Sequence, residues 1–433
     1  MPRIRTLLAA AGVTAAAVLA AAPGSAQAHD PRPSTAHSGH VVPGLTGDAA
    51  LRAGADVTEH FREIHQRQAV QPADTLHNDW GVDPNLAPVG MMATQSINPN
   101  VHLSTAGNET LYTPTMLASH ASCVELSTIY KAGVVEVGAW DWCADTPAFR
   151  KLSVADSTFM STYTTTARHQ KAYTARVVQT DPLANTWVAA LFNQQTKAWD
   201  TFYTSSGQTQ LSTPYVGWDS WEIYSNVNST TGNGYYCADA AGATFESSSL
   251  QYSYDGTSWQ PATADNSFRK DLGGTYNCPS LVRLISTPNS DFFATVPKAP
   301  PAWPTVQSGN SGNRVKTVQY LLNSQNNAGL SVDGAFGSKT VTAVKAFQTA
   351  KGLKADGIVG PLTWAALVPT VQPGATGDAV KAIQNELTAH SLSTTVSGSF
   401  DTTTSDHVQQ FQLNSGVAPA GTVDAPTWQF LVQ

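Results

Sequence analysis

Charged side chains are scarce in this chain of 433 residues, at 13% of the total, and basic residues are the scarcer sign. There are 24 Lys and Arg against 31 Asp and Glu, which gives a net charge of −7, and no block of basic residues occurs. An acidic surface repels phosphate backbones and anionic lipid headgroups. Nucleic acid and membrane surfaces are therefore not expected as partners.

Long apolar runs are missing everywhere except at the N-terminus. The apolar residues 7–22 follow two arginines and precede a Pro23-Gly24 break and the small-residue segment Ala26-Gln27-Ala28. This layout is typical of a secretory signal peptide cleaved before His29, with a membrane anchor as the alternative interpretation. No later run reaches the ~18 residues that span a bilayer. The sequence thus predicts a secreted, extracellular protein with no membrane contact after cleavage.

Several catalytic signatures are also absent. The chain has no His-Glu-x-x-His or His-x-x-Glu-His zinc pattern, no Gly-x-Ser-x-Gly nucleophile elbow and no phosphate-binding glycine loop. Histidines do gather near the N-terminus, but His60 and His65 are five residues apart, which does not align two ligands on a helix face. We therefore expect neither a metal nor a cofactor.

A chain of this length accommodates about three domains. Composition divides it into a signal peptide (1–28), a propeptide or flexible tether rich in Pro, Gly and small polar residues (29–93), a β domain (94–296), a proline-rich linker (297–304) and two C-terminal repeats (305–368 and 369–433).

The β domain is rich in tryptophan, tyrosine and short β-branched segments, with little helical periodicity. Segments such as Tyr173–Gln179 and Trp187–Phe192 are bounded by turn residues, as strands are. The Asp255-Gly256 dipeptide is a strong hairpin signal. Many short strands predict a sandwich of two antiparallel sheets, of the jelly-roll or lectin-like kind.

All four cysteines lie in the β domain, and an even number in an exported protein favours disulfides over thiolate chemistry. Three connectivities are possible. We favour Cys123–Cys143 with Cys237–Cys278, because each of these bonds closes a local loop. Each bond would stabilise the domain by roughly 2–4 kcal/mol.

Two tryptophan-rich segments of the β domain are candidates for ligand binding. They are Trp140-Asp141-Trp142 and Trp218-Asp219-Ser220-Trp221-Glu222. Exposed indole rings beside carboxylates suit sugars, whose C–H faces stack on aromatic rings. The same tryptophans are equally typical of a β-sandwich core, and we favour the core for most of them.

Catalysis would require a second acidic group near the first. Two carboxylates about 5–10 Å apart support glycoside cleavage, and Glu222 paired with Glu136 or Asp141 is the first choice. An acid protease of the glutamic type would instead need a Gln–Glu pair, for which Gln179 and Glu222 are the candidates, although no family motif supports them. A hydrolase therefore stands as the alternative to a non-catalytic binding domain.

The C-terminal third contains two copies of one unit. Pro304-Thr305-Val306-Gln307 recurs as Pro369-Thr370-Val371-Gln372, 369 − 304 = 65 residues later, and Trp364 recurs as Trp428, 428 − 364 = 64 residues later. Apolar residues at three- and four-residue steps predict three short helices in each copy. A repeat of this period indicates duplication of a small structural unit.

The first repeat resembles the three-helix peptidoglycan-binding domain of secreted bacterial wall proteins. The residues that carry the resemblance are Gly312, Val315, Gln319, Leu322, Val332-Asp333-Gly334, Phe336-Gly337, Thr340, Val344, Phe347-Gln348, Gly352-Leu353, Asp356-Gly357, Val359-Gly360, Thr363-Trp364 and Leu367. The resemblance covers only the C-terminal third of the chain. It implies that the partner is peptidoglycan or another cell-wall glycan, and that the protein is associated with the wall.

The second repeat keeps the glycines of this pattern but lacks both aspartates, with Ser397 and Ala420 in place of Asp333 and Asp356. Asp333 and Asp356 are therefore either turn residues whose carboxylates bond local backbone, which we favour, or ligand contacts present only in the first repeat. Phe336 and Trp364 are the corresponding aromatic candidates, and we expect them to be core residues rather than ligand platforms.

Overall fold

The computed structural model describes residues 76–119, 121–144, 149–208, 216–271, 276–285 and 289–433. The signal peptide, the histidine pair of residues 60 and 65, and most of the predicted tether lie outside these residues. Within the described residues no helix is both long and apolar enough to cross a membrane.

The first of two antiparallel sheets has seven strands in the order β14-β1-β11-β3-β4-β5-β6. Their bounds are β1 Leu76–Pro84, β3 Thr110–Ser119, β4 Val124–Lys131, β5 Val134–Asp141, β6 Phe149–Ser153, β11 Val216–Ser225 and β14 Ser267–Asp271.

The second sheet has nine strands, seven of them in the order β10-β9-β8-β2-β12-β16-β15, with β13 paired to β12 and β7 to β8. The bounds are β2 Gly90–Ser96, β7 Thr164–Ala167, β8 Gln170–Asp181, β9 Thr186–Asn193, β10 Ala198–Thr204, β12 Thr244–Ser253, β13 Gln260–Pro261, β15 Val282–Ile285 and β16 Phe292–Thr295. Two short helices, α1 Ser157–Tyr163 and α2 Tyr236–Asp239, join strands.

One apolar core lies between the two sheets. Trp80, Leu126 and Trp221 enter it from the seven-stranded sheet, and Tyr173 and Phe245 enter it from the nine-stranded sheet. Because side chains alternate along a strand, the neighbours of these residues on the seven-stranded sheet point away from the core. The predicted antiparallel sandwich is confirmed.

The β domain begins earlier than predicted. Strand β1 lies within the segment assigned to a tether, and β2 crosses the predicted boundary at residue 94. β1 pairs with both β11 and β14, and β2 pairs with both β8 and β12, so both strands are interior to their sheets. The boundary was wrong because the Pro- and Gly-containing turn after β1 resembles a linker in sequence.

The disulfides are the pair that local loop closure favours. Cys123 is bonded to Cys143 and Cys237 to Cys278, with Cα–Cα distances of 5.6 and 5.4 Å. The first bond joins the start of β4 to the residues that follow β5, and the second fastens α2 to the segment before β15.

Each C-terminal repeat consists of three helices, as predicted. They are α3 Asn313–Asn326, α4 Ser338–Ala350 and α5 Pro361–Leu367 in the first repeat, and α6 Asp378–Ala389, α7 Thr402–Ser415 and α8 Ala425–Leu431 in the second. The helices α4 and α7 begin after Gly337 and Asp401, which occupy the N-cap positions.

The two repeats share one apolar core and pack through α3 and α6. Glu386 is buried at this contact, where it accepts hydrogen bonds from Asn313 Nδ2, at 2.6 Å, and from Thr317 Oγ1. The proline-rich linker also touches both repeats, because Trp303 stacks on Trp364 and Gln429 donates to the Pro301 carbonyl. The linker is thus packed along the repeats rather than extended away from them.

Candidate functional site

Acidic side chains line up on the outer face of the seven-stranded sheet. The strand register places Asp79, Glu222, Tyr112, Ile129 and Glu136 directly opposite one another on β1, β11, β3, β4 and β5. Residues in such pairs share one face of the sheet. We refer to these five residues as the carboxylate row. Glu222 and Glu136, the pair chosen from the sequence, therefore share one face of the sheet, but they are three inter-strand spacings, about 14 Å, apart across it, which is wider than the range of about 5–10 Å expected of a catalytic pair.

Tyr112 lies between the two glutamates of the carboxylate row. Burial raises the pKa of its phenol well above the ordinary value, and the negative charges of Glu125, Glu222 and Glu136 raise it further. The three carboxylates are thus close enough to act on one hydroxyl group. Because the phenol keeps its proton, Tyr112 remains a hydrogen-bond donor in the middle of a buried acidic row.

Lysines balance the two ends of the carboxylate row. Lys270 Nζ lies 2.7 Å from Asp79 Oδ2, and Lys151 Nζ lies 2.6 Å from Glu136 Oε1. Like charges directly opposite each other on a sheet are destabilising. The Lys270 ion pair therefore offsets the repulsion between Asp79 and Glu222.

A row of small residues runs beside the carboxylate row. In register order it contains Gly81, Ser220, Thr115, Ser127 and Gly138, on the same five strands and the same face. Ser220 is 1% exposed, and its Oγ has no hydrogen-bond partner among the described residues. A buried hydroxyl without a partner is costly.

Aromatic residues border the small-residue row on its other side. Trp140 packs edge-on against Trp142 and Tyr112, and Trp218 belongs to the same buried cluster. Trp142 Nε1 donates to Glu125 Oε2 at 2.6 Å. Trp140, Trp142 and Trp218 are buried, as in the core packing favoured from the sequence, and do not form exposed sugar platforms.

Two further candidates, Trp221 and Asp141, lie away from the carboxylate row. Trp221 points into the core between the sheets, against Tyr236 and Phe245, and is not a surface residue. Asp141 is buried and accepts hydrogen bonds from the backbone of Cys143 and from Ser206, so it fastens strand ends.

The proposed glutamine–glutamate pair does not form, because Gln179 lies on β8 of the other sheet and donates to Asn185. One three-residue group, Cys123, Asp141 and Cys143, has the composition of a metal site. Both of its cysteines are in a disulfide and are not available as thiolate ligands.

The turns of the repeats are held by buried glutamines. Gln348 Nε2 donates to the Ile358 carbonyl, to Asp356 Oδ1 and to Thr363 Oγ1, while Gln348 Oε1 accepts from the Gly357 N–H, all within 3.1 Å. Equivalent bonds are made by three other glutamines, namely Gln319, Gln384 and Gln412. We call this arrangement the glutamine lock; each repeat contains two.

The aspartates of the first repeat are part of these locks. Asp333 Oδ1 accepts from Gln319 and from the Ala335 N–H, and Asp356 Oδ1 accepts from Gln348 and from the Ile358 N–H. These bonds hold the pKa of both carboxyls below the ordinary value, with the backbone N–H as the largest cause.

Serine at position 397 repeats the bonds of Asp333 with its hydroxyl oxygen, so these are turn positions, as favoured from the sequence. Phe336 and Trp364 are buried in the shared core of the repeats. They therefore do not form an exposed ligand platform.

Sequence comparison assigns the C-terminal units. Residues 311–367 and 376–431 match the family model described as a peptidoglycan binding domain. The C-terminal third of the chain is therefore a tandem pair of peptidoglycan-binding domains, carried next to a β-sandwich.

Two curated relatives share a short segment with this chain. One is an uncharacterised protein from the 3′ region of bpoA1 in Kitasatospora aureofaciens, 55% identical over 65 residues, which are 15% of this chain and 55% of the relative. The other is a zinc D-Ala-D-Ala carboxypeptidase of Streptomyces albus G, 44% identical over 62 residues, which are 14% of this chain and 24% of the relative. The chain thus matches about half of the first relative and a quarter of the second.

Solved structures give two further likenesses. A peptidoglycan-binding protein from Clostridioides difficile is 45% identical over 15% of this chain and 40% of its own, with a TM-score of 0.14. Scytalido-glutamic peptidase, solved with a peptide-based transition-state analogue, is 11% identical over 51% of this chain and 98% of its own, with a TM-score of 0.31.

Asp79, Tyr112 and Ser220 were not identified from the sequence as residues of this face. Asp79 lies in the segment that resembles a tether, and Tyr112 is an ordinary strand tyrosine in sequence. Their positions depend on the pairing of strands more than 100 residues apart along the chain. The alternation of Trp218, Ser220 and Glu222 along β11 was the only local signal for this face.

Proposed function

We propose that the protein is secreted and is held at the bacterial cell wall by its C-terminal repeat region, which binds peptidoglycan or another wall glycan. The observation that carries this proposal is the tandem match at residues 311–367 and 376–431. Its two disulfides support an extracellular location, because such bonds persist in oxidising compartments. The sandwich is the part that the repeats bring to the wall.

Sedimentation with purified bacterial wall tests this proposal. The chain is expected to pellet with the wall, and a chain that ends at Val296 is expected to stay in the supernatant. Bovine serum albumin controls for trapping. Full recovery of the intact chain in the supernatant would contradict the proposal.

The carboxylate row favours a second candidate function, hydrolysis of a wall glycan or a protein. One carboxylic acid would protonate the leaving group while a second carboxylate takes a proton from the attacking water. Glu222 lies directly opposite Asp79 on one face, with Cβ atoms about 5 Å apart, whereas Glu136 lies about 14 Å from Glu222, beyond the range of such a pair. Lys151 and Lys270, at the ends of the row, pair with Glu136 and Asp79.

If the sandwich is a hydrolase, Glu222→Gln and Asp79→Asn are each expected to lower its rate about 10²- to 10⁴-fold, the range typical of a lost general acid or base. Release of soluble sugars or peptides from wall, and cleavage of casein, would be followed from pH 3 to pH 8. Glu246→Gln, a buried glutamate of the other sheet, is the matched control and should retain activity. Activity that survives Glu222→Gln would contradict the assignment, and no activity at any pH would leave the sandwich as a binding domain.

A further inference from the structure

The second repeat contacts the β-sandwich through one face. Arg168 and His169 form the turn between β7 and β8, and His169 Nε2 lies 3.0 Å from Asp406 Oδ1 on α7. Beyond the end of α7, the N–H of Lys298 donates to the carbonyl of Gly416 at 2.8 Å. A crevice between the two parts is lined by Phe293 of the sandwich and by Gln409, Leu413 and Pro419 of the repeat.

On the sandwich side of this contact, Glu246 holds the β7–β8 turn in place. Arg168 Nε lies 2.6 Å from Glu246 Oε1, and Gln170 Nε2 donates to Glu246 Oε2 at 3.0 Å. Arg168 and His169 have φ angles of 45° and 66°, as the two central residues of a type I′ hairpin turn do. The turn therefore presents His169 to α7 from a fixed position.

The first repeat provides a matched reference for this face. Phe347 corresponds to Phe411, an offset of 411 − 347 = 64, so the same offset pairs each contact residue with its counterpart. In the first repeat the positions are exposed, and in the second they are partly or fully buried; the pairs are Lys345/Gln409, Thr349/Leu413, Gly352/Gly416 and Ala355/Pro419. At two of these positions the second repeat has Gln409 in place of Lys345 and Leu413 in place of Thr349. An uncharged amide and an apolar side chain suit a covered surface.

The paired glycines show the same difference. Gly352 and Gly416 both end their helices with positive φ, at 68° and 72°. A Cβ added to Gly352 would meet nothing within 4 Å, whereas one added to Gly416 would lie 2.8 Å from the Cα of Gly242 in the sandwich. Gly416 is therefore needed both for its conformation and for the approach of the two domains.

We infer that the second repeat is a docking unit whose partner is the β-sandwich of the same chain, and that wall binding is left to the first repeat. The α7 face of the second repeat is occupied by the β7–β8 turn and by Gly242, while the matched face of the first repeat is open. The docking half of the inference stands on the contacts alone. The half that concerns the wall rests on the proposed function.

Full-length variants test the docking. Leu413→Glu places a charge in the crevice near Glu246 and is expected to speed hydrogen exchange in the β7–β8 turn at least about 10-fold. Thr349→Glu, the same change at the matched position of the first repeat, is expected to leave that exchange unchanged. Far-UV circular dichroism would verify that the helices of both variants remain folded.

A change on the sandwich side keeps the test independent of the folding of the repeat. His169→Glu places a second negative charge opposite Asp406 and should speed exchange at the end of α7, whereas Gln195→Glu in another hairpin turn should not. Unchanged exchange in both Leu413→Glu and His169→Glu would overturn the docking.

Wall sedimentation tests the second half of the inference. Leu413→Glu is expected to pellet with the wall as the unmodified chain does, because it alters only the docked repeat. A more than about fivefold loss of pelleting would show that the α7 face itself binds the wall, and would overturn the inference. If the unmodified chain does not pellet, the proposed function fails, while the exchange experiment still decides the docking.

Discussion

Replacing Gln348 with leucine is expected to destabilise the first repeat by about 3 kcal/mol, a large part of the stability of a small domain. Leucine fills a similar volume but offers no polar atoms. The Gly357 N–H would be left without a buried partner, while the Ile358 carbonyl and the Thr363 hydroxyl would each lose one bond and keep the bond between them. Each unsatisfied buried group costs roughly 1–3 kcal/mol.

The measurement is thermal unfolding of the full-length Gln348→Leu chain, followed by helical circular dichroism at 222 nm. Part of the helical signal should melt well below the unmodified chain or be absent at 25 °C. Gln307→Leu is the matched control, because Gln307 is an exposed glutamine of the same repeat and its change should be nearly neutral. Equal melting of the two variants would show that the glutamine lock does not stabilise the repeat.

The β-sandwich is expected to be more stable in acid than at neutral pH because of Asp219. This carboxyl lies between the sheets, where it accepts hydrogen bonds from Ser247 and Gln95. Burial raises its pKa from 3.8 to about 7. The folded state thus retains a proton that the unfolded state releases, and the corresponding free energy is about 4 kcal/mol.

The sign of the effect follows from the raised pKa. The stabilisation is fully present below pH 3.8 and is lost as the pH rises to about 7, above which stability no longer depends on this group. Asp219→Asn removes this titration. The free energy of unfolding of the variant should therefore rise relative to that of the unmodified chain as the pH increases from 3.8 to about 7. Urea unfolding at pH 4, 5.5 and 7.5 measures the difference.

Two other buried carboxyls of the sandwich also have raised pKa values, but their contributions to stability are the same in the variant and the unmodified chain. Burial raises the pKa of Glu109 to about 8 and that of Glu246 to about 7, and both groups remain in the variant. Asp255→Asn, at an exposed turn aspartate, is the control. Its free energy of unfolding should not vary with pH in the way that of Asp219→Asn does. Parallel pH profiles for the unmodified chain and Asp219→Asn would contradict the prediction.

The repeats could be predicted closely from the sequence because their determinants are local. The helices follow apolar residues at three- and four-residue steps, and the ends are marked by Gly337, Asp401 and Pro361. The turn role of Asp333 was also predictable, because the second copy keeps Gly398 while replacing the aspartate with Ser397. Comparison of the two copies thus shows that the turn keeps its glycine, while the residue before the glycine can change.

The sandwich was predictable as an architecture but not as an arrangement of strands. Aromatic and β-branched segments identified two antiparallel sheets, yet nothing local shows that β1 lies between β11 and β14. Asp79 therefore could not be placed opposite Glu222 from the sequence. The tryptophans were ambiguous for a related reason: Trp218 and Trp221 are three residues apart on β11 and lie on opposite faces, and only the position of the second sheet decides which face is the core.

The glutamine lock also bears on how such repeats diverge. Its bonds join a buried side-chain amide to main-chain atoms, so the residues on the outside of each turn take no necessary part in holding it. Ala420 stands where Asp356 stands in the first copy, and the turn is unchanged, because Gln412 still binds the Gly421 N–H and the Thr422 carbonyl. A gene encoding this domain can therefore accumulate substitutions on its exterior without loss of the fold. The two copies thus keep one fold while their surfaces differ, as at Thr349 and Leu413.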